Sequence, residues 1–177
     1  MLKTLLKPSF WPIVALAIAA AMLATAHAFE HFLLLAPCPL CLRQREVYWA
    51  ALILGAIGYG VIRLKPSPRL LITVNVLLAL VFITSAVIAG YHAGVEWKFW
   101  PGPTACSGGL GDSLAGSAAG MDLDRAFATV SCSEAAWRLF GISMAGYNTL
   151  ASLLFGALSI LAAKRAFEDA ELDSTID

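Results

Sequence analysis

Four cysteines hold the chemistry open to this chain. Two stand in Cys38-Pro39-Leu40-Cys41, and Cys106 and Cys132 follow far downstream. A Cys-x-x-Cys pair can open and close as a disulfide, and the reactivity of each sulfur follows its thiolate character, which the local surroundings set. Pro39 is tolerated in the first turn of a helix, where its missing N–H would have had no partner, so a helix is expected to open inside the motif with Cys38 near its cap. Cys41 then occupies the first turn, where the helix dipole and free backbone donors favour a thiolate, and Arg45, four residues on, shares its face. Cys41 is therefore expected to be the more acidic thiol of the pair. The bland alternative is a structural disulfide. Zinc fits poorly, because Cys106 and Cys132 lack the close spacing of a second ligand couple. Leu42 stands where covalent haem attachment would require histidine.

The elements that must position these thiols are set by a bilayer. The 177 residues are 59% apolar and 14% charged, against about 45 to 50% and 25% in ordinary soluble domains. Net charge is zero and no basic run points to nucleic acid. Four uncharged stretches, Pro8 to Phe29, Val47 to Ile62, Leu70 to Tyr91 and Leu139 to Ala163, approach or exceed the roughly 20 residues needed to cross the hydrocarbon. They predict a single all-α integral membrane domain over 1–177, a four-transmembrane-helix bundle with spans at about 9–29, 46–63, 70–91 and 142–163. One short and one long outer loop, about 30–45 and 92–141, and an inner loop at about 64–69 connect them. The second stretch is short and borrows length from Arg45 and Arg63, whose stems reach toward the headgroups. The first shares Lys3, Lys7 and the small residues Ala24, Ala26 and Ala28 with cleavable signal peptides, but its uncharged run exceeds their usual core of about 7 to 15 residues, so it is expected to remain as a span.

Orientation follows from lysine and arginine. Lys3, Lys7, Arg63, Lys65, Arg69, Lys164 and Arg165 share one side, whereas the loop from His92 to Phe140 holds only Lys98, Arg125 and Arg138. The positive-inside rule puts both termini in the cytoplasm and all four cysteines outside, where disulfides persist. Trp11, Trp49, Trp97, Trp100, Tyr91 and Tyr147 fall at or near span ends, as an interfacial belt requires. The small pairs Ala51/Gly55, Ala56/Gly60 and Ser152/Gly156 are spaced for close helix contact. In the long loop, Pro101 to Gly120 is rich in glycine, serine, alanine and proline, so Cys106 is expected on a flexible tether. Leu123, Phe127 and Val130 share a helical face, consistent with a short surface helix leading to Cys132, and a half-ordered loop is the alternative.

The run from Glu30 and His31 through Pro37-Cys38-Pro39-Leu40-Cys41-Leu42-Arg43-Gln44-Arg45, then Cys106, then Cys132-Ser133-Glu134-Ala135-Ala136-Trp137 before the last span, resembles the DsbB family of membrane disulfide-forming oxidoreductases. The likeness covers nearly the whole chain. It implies a periplasmic relay from a DsbA-like, thioredoxin-fold oxidase to a membrane quinone, ubiquinone or menaquinone, at the bacterial inner membrane. In that scheme the partner's thiol attacks a Cys106–Cys132 disulfide at Cys106, Cys132 exchanges with Cys38, and Cys41 meets the quinone beside Arg45. His92 falls roughly where the family places a histidine and is a candidate quinone contact, with an ordinary hydrogen-bonded histidine as the alternative. His31 is a weaker candidate of the same kind. His27 and Glu30 read as polar residues at the end of a span, Trp137 and Met144 as anchors of the fourth span, and Glu168 to Asp177 as a solvated terminus.

An acceptor is energetically required in that scheme. Ordinary dithiol couples at about −270 to −180 mV face a DsbA-type partner near −120 mV, a deficit of roughly 3 to 7 kcal/mol per disulfide. Only a terminal oxidant can draw the electrons off. The loop between Cys106 and Cys132 is richer in glycine and poorer in aromatics than the family pattern. Two other readings stay open: a relative of the vitamin K epoxide reductases, in which the quinone-facing Cys-x-x-Cys opens a late span and not the second, and a non-catalytic membrane interaction protein stapled by disulfides.

Overall fold

The computed structural model describes residues 6–103 and 131–176. Four long helices dominate it: α1 (Trp11–Phe32), α2 (Pro39–Leu64), α3 (Pro68–Glu96) and α4 (Met144–Ile176). The shortest has 22 residues, about 33 Å at 1.5 Å per residue, enough to cross the hydrocarbon. All four are long and apolar enough to span a membrane.

Sequence explains where the helices begin. Cys38 and Ser67 cap α2 and α3, each followed by proline in the first turn, and each side chain accepts a hydrogen bond from the backbone N–H three residues on, Cys41 and Leu70 respectively. This is N-capping chemistry, with a sulfur in the role of the hydroxyl at Cys38. Before α4 the chain makes a feature the apolar pattern hides. Strands β1 (Arg138–Leu139) and β2 (Ile142–Ser143) pair antiparallel, joined by Phe140 and Gly141, which both take positive φ, 49° and 81°. A two-residue hairpin loop needs that backbone twist, and glycine supplies half of it without strain. The apolar stretch that begins at Leu139 therefore enters α4 only at Met144. At its far end α4 runs on to Ile176, so the acidic tail expected as a solvated terminus is a helical extension with exposed side chains from Glu171 to Thr175.

The bundle is packed inside with small residues and coated outside with large ones, as a lipid-facing protein requires. Ala15, Ala19, Ala51, Leu78, Phe82 and Ala162 are fully buried, whereas Ile53, Ile57, Leu80, Val87, Leu153 and Leu154 face outward. A Cβ on Gly55 would lie 2.9 Å from the carbonyl oxygen of Pro12, and one on Gly58 would strike Val74, so both glycines let α2 approach its neighbours. Of the small pairs read from sequence, Ser152/Gly156 faces α3, with Ser152 bonded to Ser85 and Gly156 against Ile83. Gly60 has open space around it, so Ala56/Gly60 is not a packing seam. At one end Asn75 donates to Pro8 O (3.0 Å) and Trp11 to Ser159 Oγ (2.9 Å), tying α1 to α3 and α4. Helix α2 packs on α1 and α3, and α3 packs most extensively on α4, whereas α1 and α4 barely touch. That weak seam matters below.

Candidate active site

The opposite end of the bundle collects the start of α2, the end of α3 and the segment leading into α4. Cys38 is buried at the cap of α2, and its sulfur lies 2.6 Å from that of Cys41, which sits in the first turn as expected. Both are free thiols. The hydrogen bond with Cys41, reinforced by burial, pushes the Cys38 thiol up, so Cys38 holds its proton. Arg45 follows one turn later. Its guanidinium is paired with the Glu30 carboxylate and donates to the carbonyl oxygen of Ala26 at 3.2 Å, both on α1. Glu30 is thus more than an end-of-span polar residue, and the cation beside Cys41 is shared with a carboxylate.

Cys132 arrives from the other side. It is fully buried, is disulfide-bonded, and packs against Cys38, Leu40 and Val95, with Cys41 alongside. Lys98 Nζ, donating to Ser133 O at 2.8 Å, pins this returning segment to the end of α3. The sulfurs of Cys38 and Cys132 and one ring nitrogen of His92 all lie within 4.8 Å of one another. Residues 94 positions apart in sequence therefore meet at near exchange distance. Cys106, the glycine-rich tether and the surface helix expected over 122–130 lie outside the described residues.

His92 is buried between these thiols and a polar network that the sequence reading missed. Its Nε2 is 3.6 Å from Cys38 Sγ and 3.7 Å from Glu96 Oε1, and its Nδ1 is 2.8 Å from the amide nitrogen of Gln44. Asn148 of α4 donates to Gln44 Oε1 at 2.6 Å, Tyr48 donates to Asn148 Oδ1 at 2.5 Å, and Ser152 lies 2.9 Å from both the Tyr48 and the Ser85 hydroxyl. Glu96 is buried too, and its Oε2 has no hydrogen-bond partner among the described residues. The signal that could have found this group is its composition: Gln44, Tyr48, Ser85, Asn148 and Ser152 are polar residues inside or flanking apolar spans, and such residues face bundle interiors and mark function by default.

A cavity of about 440 Å³ opens beside the thiols. Phe29, Trp137, Met144 and Tyr147 contribute apolar walls between α1 and α4, and Cys41, Arg45, Gln44 and His92 give it one polar end. Trp137 packs edge-on against Phe29 and tilted against Tyr147, so the two residues expected to anchor the fourth span, Trp137 and Met144, also shape the site. Volume and lining fit a flat, apolar ring with polar oxygens at its edge. A quinone matches that description, with Arg45 able to hold an oxygen and Cys41 within the same cavity. His92 lines the cavity as well. His27 and His31 do not: they stack on each other at 6.1 Å at the end of α1, and His31 is exposed.

The family model for disulfide bond formation protein DsbB matches residues 8–162. The chain is also similar to disulfide bond formation protein B of Polaromonas sp., at 30% identity over 135 residues, which is 73% of this chain and 75% of that protein.

Proposed function

The chain belongs to the DsbB family, and from that premise we propose how its own residues divide a quinone-linked thiol–disulfide reaction among them. It is a multi-pass inner-membrane oxidoreductase that makes disulfides at the expense of a quinone. Cys106 and Cys132 form the pair that meets the donor, a periplasmic DsbA-like thioredoxin-fold protein. Cys38 and Cys41 form the pair that passes electrons on. Both termini are cytoplasmic and the cysteines periplasmic, in keeping with the lysine and arginine asymmetry.

The observation that supports this reading is the convergence of Cys38 and Cys132 within 4.8 Å, with Cys41 at the polar end of an apolar cavity. A thiolate at Cys132 can attack the Cys38 sulfur of a Cys38–Cys41 disulfide: the Cys132–Cys38 bond forms, the Cys38–Cys41 bond breaks, and the electron pair leaves on Cys41. A bound quinone supplies the sink for two electrons and two protons. Cys41 keeps its charge beside the Arg45 guanidinium, and Arg45 is held in place by Glu30 and the Ala26 carbonyl. The apolar walls exclude water from that step. Because α1 and α4 barely touch, the cavity lies along a seam through which a lipid-dissolved ring can enter sideways. Ubiquinone and menaquinone both fit an opening of this kind.

The test is direct. Purified protein in lipid vesicles, given a reduced thioredoxin-fold donor, is expected to reduce one quinone for every donor disulfide formed, and comparison of ubiquinone with menaquinone by kcat/KM assigns the natural acceptor. No reduction of any quinone, with all four cysteines intact, would overturn the reading.

A further inference from the structure

The polar network around His92 has a direction. Tyr48 has one hydroxyl proton and donates it to Asn148 Oδ1. The Asn148 amide nitrogen then donates to Gln44 Oε1, which turns the Gln44 amide nitrogen, a donor only, toward His92 Nδ1 at 2.8 Å. Nδ1 must accept, so in the neutral ring the proton sits on Nε2. Nε2 faces the Cys38 sulfur at 3.6 Å and Glu96 Oε1 at 3.7 Å, and the ring also hydrogen-bonds the backbone of Cys132. The reverse polarity would leave the Cys38 sulfur without a ring donor once it loses its proton. Every member of the network is buried, from His92 through Gln44 and Asn148 to Tyr48 and Ser152, where neighbouring hydrogen bonds strengthen one another.

We propose that Gln44 and Asn148 are positioning residues that lock His92 with its N–H aimed at Cys38, making His92 a hydrogen-bond donor to that sulfur when it carries charge. The proposal rests on the exchange between Cys132 and Cys38 argued above. When the Cys106 thiolate attacks Cys132 in a Cys132–Cys38 disulfide, the Cys106–Cys132 bond forms, the Cys132–Cys38 bond breaks and the electron pair leaves on Cys38, where an N–H at Nε2 stabilises the charge. With Nδ1 protonated instead, the same ring would repel it. The device needs residues from α2, α3 and α4 together, which is why no local motif announces it.

Histidine labelled with nitrogen-15 reads the tautomer. The chain has three histidines, and replacing His27 and His31 by glutamine leaves His92 as the single signal. In the resting protein, with neither donor nor quinone present, Nε2 is expected to carry the proton. Asn148→Asp cannot donate to Gln44 Oε1. Its carboxylate turns the Gln44 amide nitrogen toward itself and presents Oε1 to the ring, moving the proton to Nδ1. Asn148→Leu, which keeps the site neutral should the aspartate disturb folding, is expected to give a mixture of tautomers. In both, single-turnover release of the Cys38 thiolate from the Cys132–Cys38 disulfide is expected to slow roughly tenfold or more, the scale of one hydrogen bond to a charged group. Nδ1 protonation in the parent protein, an unmoved tautomer in both variants, or a moved tautomer with unchanged Cys38 release would each overturn the proposal. Failure of the parent protein to reduce quinone would instead count against the preceding reading, since the ring is observed without turnover.

Discussion

Cys41→Ser is expected to abolish quinone reduction while leaving the four-helix bundle folded. Cys41 lies in the first turn of α2, where its sulfur is 2.6 Å from Cys38 and lines the cavity with Arg45. Serine keeps the size and the hydrogen bonding, so the cap at Cys38 survives, but a hydroxyl neither closes a disulfide nor gives up electrons. Loss of a nucleophile that works as part of a unit is on the order of 10⁴-fold or more. The measurement is quinone reduction in vesicles beside a helical circular-dichroism spectrum. Cys38 and Cys132 remain in place in this variant, so it should still take up a donor's electrons into a protein disulfide and stop there. A structural protein stapled by disulfides would show the opposite pattern, lost stability without any lost turnover.

Arg45→Met carries the second large effect. The guanidinium is nearly buried and its partner Glu30 keeps 30% of its side chain exposed. In the quinone site, losing a hydrogen bond from a charged donor to the quinone oxygen costs about 1.5 to 3 kcal/mol. About 2 kcal/mol is roughly 30-fold in kcat/KM for quinone. Glu30→Gln separates the effect of the orphaned carboxylate from that of the lost contact. On its own Glu30→Gln is expected to keep most of the activity, because the amide still accepts from Arg45 and no longer competes for its charge. Combined with Arg45→Met it is expected to leave most of the loss in place, which assigns the loss to the quinone site. An Arg45→Met enzyme with an unchanged KM for quinone would remove Arg45 from that role.

What could be read from the sequence, and what could not, divides along contact order. The helices, the cap at Cys38, the first-turn position of Cys41 and the placement of Arg45 one turn on all follow from local rules: hydropathy over about 20 residues, proline in the first turn, and the helical repeat. The burial of Cys132 against Cys38 does not, because nothing near Cys132 in the chain states which helix end it will meet. The pairing of Arg45 with Glu30 crosses from α2 to α1 in the same way, and so turns an apparently lone cation into half of an ion pair. Small-residue spacing was a partial guide, right for Ala51/Gly55 and Ser152/Gly156 and wrong for Ala56/Gly60, since spacing says nothing of which face meets a neighbour. Spacing singles out Ser152 for its size, while its hydroxyl is the part that bonds Tyr48 and Ser85. The hairpin before α4 is hidden in the sequence because Leu139 and Phe140 extend an apolar run without a break, and the turn is marked only by the glycine at 141.

The fold thus gathers three helix ends and one returning segment around two sulfurs that belong to different pairs. Mapping disulfides in a Cys106→Ser variant tests that claim most directly, because Cys132 is then left as a thiol facing an oxidised Cys38–Cys41 pair. After quenching with an alkylating agent, peptide mass mapping is expected to find Cys132 joined to Cys38 and Cys41 alkylated. Cys132 alkylated beside an intact Cys38–Cys41 disulfide, or joined to Cys41 in place of Cys38, would contradict the relay.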